Sequence, residues 1–173
     1  MDQDITIRKL TAEDALQYRN LRLFALKEAP LSFTESYEEL ADLDEADYVK
    51  RLEAHTGFGA FADGEMVGIM GYFIRPHRKQ RHQAVLVGVY VHPDWRGKGI
   101  SSSLLSMLLD DAKQHVEMII LQVAIENFSA RHAYLKAGFQ SYGVEPKALK
   151  LDDRYVDEEM MWLDLAQYQA PTS

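Results

Sequence analysis

The chain has 173 residues, 47% of them hydrophobic, no cysteine and a formal net charge of -8. That size predicts one domain, 1–173, around a single core. The missing cysteines exclude disulfides, thiol nucleophiles and cysteine metal sites. The acidic balance argues against general nucleic-acid binding, because phosphate contacts need a basic surface. The opening MDQDITIRKL is acidic where a signal peptide is basic, and no apolar run approaches the roughly eighteen residues of a membrane span. A cytoplasmic location with no membrane partner is therefore expected.

Ile5 to Leu10 reads as a short strand, and Thr11-Ala-Glu-Asp14 offers a capping box opening a helix to about Lys27, closed by Ala29 and Pro30. Leu31 to Leu43 reads as loop and helical turn, followed by an amphipathic helix from about Asp44 to His55. Two apolar strands around Asp63-Gly64, a pair that accepts positive φ, make a hairpin between Gly57 and Arg75. A polar loop from Pro76 to Gln83 leads to Val85, Leu86, Val87, Val89, Tyr90 and Val91, the near-continuous run of a strand buried on both faces. Pro93 ends it, and from Ile100 apolar residues recur at Leu104, Leu108 and Ala112, which is helical spacing. Met118 to Ile125 is another apolar strand. Asn127 or Ser129 caps a helix carrying Ala130, Ala133, Tyr134 and Ala137 on one face, and Gly138 stops it. The tail gives a last hairpin, Ala148 to Leu151 and Tyr155 to Leu165, turning at Asp152-Asp153. This order predicts an α/β protein with a mixed sheet and helices packed on it.

Charge is distributed unevenly. Between Glu35 and Asp47 there are seven acids and no base, whereas Arg75, Arg78, Lys79 and Arg81 cluster around Pro76 and His77. A solvated face accounts for both runs.

The segment from Arg96 to Ser102 joins strand to helix through Gly97 and Gly99. Those glycines let the backbone turn sharply and approach a ligand, and the first amides of the following helix have no intrahelical acceptor. With the helix dipole and the nearby Arg96 and Lys98, they form an anion site suited to phosphate. The nucleoside-triphosphate loop G-x-x-x-x-G-K-[ST] is absent, and the dinucleotide fingerprint G-x-G-x-x-G would need glycine where Ser102 sits. The expected ligand bears phosphate but is bound in neither of those ways.

Two motifs resemble the GCN5-related N-acetyltransferase (GNAT) superfamily. Its pyrophosphate loop, Q/R-x-x-G-x-G/A, is matched by Arg96-Gly-Lys-Gly99-Ile-Ser101, with serine in place of the last small residue. A second family element, N-x-x-A-x-x-x-Y-x-x-x-G-F, is present in full as Asn127, Ala130, Tyr134, Gly138 and Phe139. The resemblance implies an acyl-CoA N-acyltransferase fold: a mostly antiparallel central sheet, splayed at a V-shaped cofactor gap, with helices on both faces. It implies acetyl-CoA as cosubstrate and no metal. The amides of Gly97, Lys98, Gly99, Ile100, Ser101 and Ser102, with the Arg96 side chain, would receive the pyrophosphate. Val89 and Val91 would pair with the pantetheine arm as an added strand does, and Asn127 and Ala130 would line the same gap. Tyr134 would give a proton to the departing thiolate, since a phenol stays protonated at neutral pH.

The general base is not fixed by a motif. Some relatives that acetylate protein N-termini carry glutamate five residues before the motif asparagine, but that place holds Gln122, which cannot act as a base. Glu126, next to Asn127, is the first candidate, with Glu35 and His82 behind it. His92 and His132 read as ordinary polar positions, and no group of side chains has metal-ligand spacing. The segment Ala29 to Glu39 falls where the family places much of its acceptor wall, and Phe33, Glu35, Tyr37 and Glu38 there would suit a cationic amine. The expected acceptor is a small amine or polyamine, with a peptide or protein as the alternative. A reading of another class is a non-catalytic acyl-CoA sensor or interaction module. The final hairpin could add to a partner's sheet, so a homodimer is expected.

Overall fold

The computed structural model describes residues 4–170. The outermost residues at both ends of the expected 1–173 domain, including the first three of the acidic N-terminus, lie outside the described residues. Seven strands form one mixed sheet: β1 (Ile5–Lys9), β2 (Thr56–Ala62), β3 (Glu65–Ile74), β4 (Gln83–Val91), β5 (Met118–Ala124), β6 (Gln140–Leu151) and β7 (Arg154–Asp164). Their order in space is β1-β2-β3-β4-β5-β7-β6. Every neighbouring pair is antiparallel except β4 and β5, which are joined by α4 (Ile100–Ala112), the crossover that a parallel pair needs.

The helices cover both faces. On one, α1 (Ala15–Glu28), α2 (Tyr37–Ala41) and α3 (Glu45–Ala54) bury Leu21, Leu26, Leu40 and Tyr48 against Phe61, Met66, Ile69 and Tyr90. On the other, α4 and α5 (Phe128–Lys136) bury Leu104, Leu108 and Tyr134 against Met70, Tyr72, Ile119, Leu121 and Met161. In β2, Phe58, Ala60 and Ala62 feed one cluster and Phe61 the other, as a sheet buried on both faces requires, while the β3–β4 irregularity switches the faces beyond it, so that Leu86 and Tyr90 fall in different clusters. This is the splayed, two-faced fold that the motifs imply.

The acid run from Glu35 to Asp47 is only partly a solvated face. Glu39 accepts the Ser36 amide at 2.7 Å and closes a capping box on α2, a short helix within the segment that sequence reads as loop and helical turn. Asp44 and Asp47 form the same device on α3. The last hairpin also departs from expectation: β6 starts at Gln140, well before Ala148. Gly143, Pro146 and a left-handed Lys147 fall inside it, and as an edge strand β6 absorbs them in register shifts between Ser141 and Gly143 and between Glu145 and Leu149. No helix among the described residues is long and apolar enough to cross a membrane.

Candidate active site

The site begins with one glycine in the middle of β4. Gly88 has φ 65°, and the β3–β4 register shifts between the Ile69–Tyr90 and Gly71–Val87 pairs, so β4 bulges there. A bulge bends its strand. β4 pairs with β5 only from Gln83 to Val85, whereas β5 stays paired with β7 along its whole length from Met118 to Ala124. Beyond Val85 the two central strands diverge, leaving the β5-facing edge of β4 without a strand partner.

A cavity of about 690 Å³ fills this divergence. Val89 and Val91 line one wall, Ala124, Glu126, Asn127 and Ala130 the other, and Arg96, Gly97, Gly99, Ile100, Ser101 and Ser102 its end. Gly97 and Gly99 both take φ 77° with open space where a Cβ would stand, so here conformation and not crowding demands glycine. Gly99 caps α4, and the first helical bond runs from the Ser103 amide to the Gly99 carbonyl at 3.0 Å. The amides ahead of Ser103 carry no helical partner and sit at the positive end of the dipole.

Charged side chains around this end are already engaged. Arg96 donates to the Val91 carbonyl at 3.0 Å and pairs with Glu28 at 2.9 Å. Arg96 and then the Tyr90 hydroxyl, at 2.8 Å, hold the Glu28 carboxyl below the usual range. This network ties the end of β4 to the end of α1. Lys98 lies over the Trp95 ring at 4.2 Å and does not line the cavity.

Asn127 caps α5, accepting the Ala130 amide at 3.2 Å. Tyr134 follows one turn after Ala130, is 5% exposed, and packs on Phe139 with ring centroids 5.6 Å apart. Gly138, at φ 101°, turns the chain so that Phe139 returns to this ring. Burial pushes the Tyr134 phenol well above its ordinary value, so it keeps its proton. Tyr134 is not among the residues lining the cavity; Ala130 and Ala133 are.

A second cavity, of about 370 Å³, opens on the other side of the bulge and shares Ser32 with the first. Val87, Gly88, Gln122 and Glu158 line its floor, and Phe33, Glu35, Arg22 and Arg51 its wall. Of the four expected acceptor residues, Phe33 and Glu35 are brought here and Tyr37 and Glu38 are not. Tyr37 is partly buried with Lys27 at 4.0 Å over its ring, and Glu38 faces solvent on α2. Glu35 is not a free carboxylate either. It accepts Arg22 at 3.0 Å and Arg51 at 2.6 Å. Burial raises its pKa, but the bonds from Arg51 and Arg22 outweigh that and hold it below the usual range.

The three base candidates fare poorly as bases. Glu35 is clamped, Glu126 lies on the surface paired with Arg154, and His82 is exposed at the end of β4 where the strands still pair. Glu158 was not foreseen. It stands on β7 opposite Ala124 of β5, is 9% exposed, and burial followed by the nearby Glu145 raises its carboxyl above the usual range. Its trace in the sequence is faint: adjacent Glu158 and Glu159 open the apolar stretch to Leu165, so a strand must turn one of them toward each face. Glu159 takes the helix side, paired with Arg131 of α5.

Residues 21–139 match the acetyltransferase (GNAT) family. The chain belongs to it. As a GNAT protein it falls in the class of acetyl-CoA-dependent N-acetyltransferases. It is 25% identical over 138 residues to spermidine N(1)-acetyltransferase of Vibrio cholerae, covering 79% of each chain. It is 29% identical over 104 residues to the L-amino acid N-acetyltransferase AaaT of Escherichia coli, covering 59% of this chain and 64% of that relative. Its fold superposes on yncA of Salmonella typhimurium, solved with its cofactor acetyl-CoA, with a TM-score of 0.83 at 22% identity, over 98% of this chain and 99% of that one. Among the described residues no cluster of His, Asp or Glu could hold a metal.

Proposed function

We propose that this GNAT protein transfers the acetyl group of acetyl-CoA to the primary amine of a small molecule, by direct attack in a ternary complex. The observation that carries this reading is the meeting of two cavities at the Gly88 bulge, one ending in the unpartnered amides before Ser103, the other lined by Glu158. In this reading the amides from Gly97 to Ser102 hold the pyrophosphate, and the free edge of β4 at Val89 and Val91 pairs with the pantetheine amides. The thioester then lies at the bulge, where a β4 amide polarises its carbonyl as an oxyanion donor does.

An ammonium arriving through the second cavity must lose a proton before it attacks. Glu158 is the base that the geometry supports, because it faces that cavity, makes no ion pair among the described residues and has a raised affinity for protons. Glu126, the first candidate by sequence, faces Arg154 instead. Tyr134 is assigned the return of a proton to the leaving thiolate from its place in the family motif: burial keeps the phenol neutral, but Ala130 and Ala133, not the ring, line the cavity, so donation requires the hydroxyl to reach the thiolate once the cofactor is bound. The cavity has no net negative lining to favour a polycation, since Arg22 and Arg51 balance Glu35 and Glu158.

The test is thiol release from acetyl-CoA with a panel of small amines, beside calorimetry of acetyl-CoA binding. Amine-dependent release that falls in Tyr134→Phe supports the enzyme reading. Tight cofactor binding with no amine-dependent thiol, and no effect of that substitution, would make the chain an acyl-CoA-binding module instead.

A further inference from the structure

Arg22 of α1 is 5% exposed. Its guanidinium stacks over the Phe33 ring at 4.4 Å and spends only Nη2 on Glu35, at 3.0 Å. Its Nε and Nη1, and the Nε of Arg51, are buried with no hydrogen-bond partner among the described residues. Buried N–H groups of a charged side chain are seldom left unmade, since each forfeits the bonds it had with water. Both guanidiniums line the second cavity. They share a single carboxylate, so the cluster of Arg22, Arg51 and Glu35 carries one net positive charge.

The same cavity has an opposite pole. Glu158 lines it beside Gln122, and the Gln122 amide is turned away to donate to Glu145 at 2.7 Å. One cavity of about 370 Å³ thus holds an arginine pair with spare donors and, next to the bulge, a glutamate with no ion pair among the described residues. A molecule that complements both poles is a zwitterion, with its carboxylate on the guanidiniums and its ammonium toward Glu158.

We propose that the acceptor of this enzyme is an amino carboxylate, recognised through its carboxylate by Arg22 and Arg51. The inference rests on the transferase reading for the word acceptor, but not for the binding site itself. Amines that lack the carboxylate give no acceptor to Nε and Nη1 of Arg22 and Nε of Arg51, so they bind more weakly. Peptide N-termini and polyamines fall in that rejected class. Glu35 holds the two arginines in place and competes with the incoming carboxylate.

The experiment is calorimetry on the CoA-loaded chain, which cannot turn over, with the L-amino acids and ω-amino acids of three to five carbons. Each is paired with its amide and its decarboxylated amine, and spermidine is included. The same titrations on the free chain keep the result independent of cofactor binding. The expected result is at least tenfold tighter binding of one or more amino acids than of their amides, with that preference lost in Arg51→Gln. Arg51 is the residue to change because its side chain is 27% exposed and less needed for folding than Arg22; the thermal midpoint checks this. Glu35→Gln gives an opposite sign under the two readings: it tightens amino-acid binding here, whereas an anionic acceptor wall would lose spermidine affinity. Equal binding of acids and amides, tighter binding of spermidine, or no binding of any amino acid would overturn the proposal. Amino-acid binding lost in Arg51→Gln, with no amine-dependent thiol release, would instead remove the transferase reading and leave this site standing.

Discussion

Replacing Glu158 with glutamine tests the base assignment, and its size can be worked out before the measurement. An alkylammonium of pKa about 10.4 is deprotonated in about one molecule per thousand at pH 7.4, a deficit of roughly 4 kcal/mol. A positioned base that takes this proton is worth about 10² to 10⁴ in rate. Glu158→Gln keeps the shape of the side chain and removes only that capacity, so kcat/KM for the amine falls by about 100-fold or more at pH 7.4. The shape of the profile is the sharper reading. With the base present, kcat/KM is flat between the raised pKa of Glu158 and that of the amine, whereas the variant must wait for free amine. It therefore gains about tenfold per pH unit, roughly 100-fold from pH 7.4 to 9.4, and approaches the parent near the amine pKa. Stability supplies the control. The folded-state pKa of Glu158 is raised, so its contribution is fully present below the unfolded pKa and is lost as pH rises through the folded one. At pH 8 the buried carboxylate is a cost that glutamine removes, and the variant melts no earlier than the parent. A loss under threefold, or parallel pH profiles in a folded variant, would refute the assignment and return the proton to a water relay.

Three further outcomes follow from the same geometry. Tyr134→Phe lowers kcat by about 100-fold while the KM for acetyl-CoA changes little, read by steady-state thiol release; a change confined to KM would count against the proton-donor role. Gly99→Val puts a β-branched residue at φ 77°, costing on the order of 1–2 kcal/mol in the loop and shifting the amides ahead of Ser103. Calorimetry should show acetyl-CoA affinity falling at least tenfold; unchanged affinity would remove the loop from the site. Asp14→Asn breaks the paired bonds from Arg8 at 2.7 and 2.8 Å and weakens that from the Thr11 amide at 2.8 Å. The loss is about 2 kcal/mol, or roughly 4–8 °C in melting temperature. The bond from Arg8 leads in holding the Asp14 carboxyl below its usual range, so the parent's advantage stands above pH 4 and fades as pH falls below it.

The legible parts of this chain were those where local chemistry decides structure. Gly97, Gly99 and Gly138 each sit at a left-handed φ that other residues avoid, and Asn127 caps the helix that it precedes, so motif and conformation are one fact there. The order of strands followed from apolar runs separated by turn residues. The Gly88 bulge was missed although a lone glycine between Val87 and Val89 inside an apolar run is a signal for one; pairing with β3 shows that β4 has one residue too many. The early start of β6 was missed because an edge strand tolerates the proline and glycine that argue against a central one.

The acceptor wall shows the limit more sharply, because the charge summed along the chain there differs from the charge that lines the cavity. Seven acids between Glu35 and Asp47 count as a negative surface when charges are summed along the chain. In the fold, Glu39, Asp44 and Asp47 are consumed by helix caps, and Glu38 faces away on α2. Only Glu35 reaches the cavity, where Arg22 from α1 and Arg51 from α3 outnumber it. Neither arginine stands out in sequence: each is one basic residue in an amphipathic helix, and they meet only because α1 and α3 pack on the same face of the sheet. What recognises a ligand is the charge left over after the protein has satisfied itself. That remainder is a property of packing, and in the proposed acceptor site it is a guanidinium pair with three nitrogens that have no partner among the described residues.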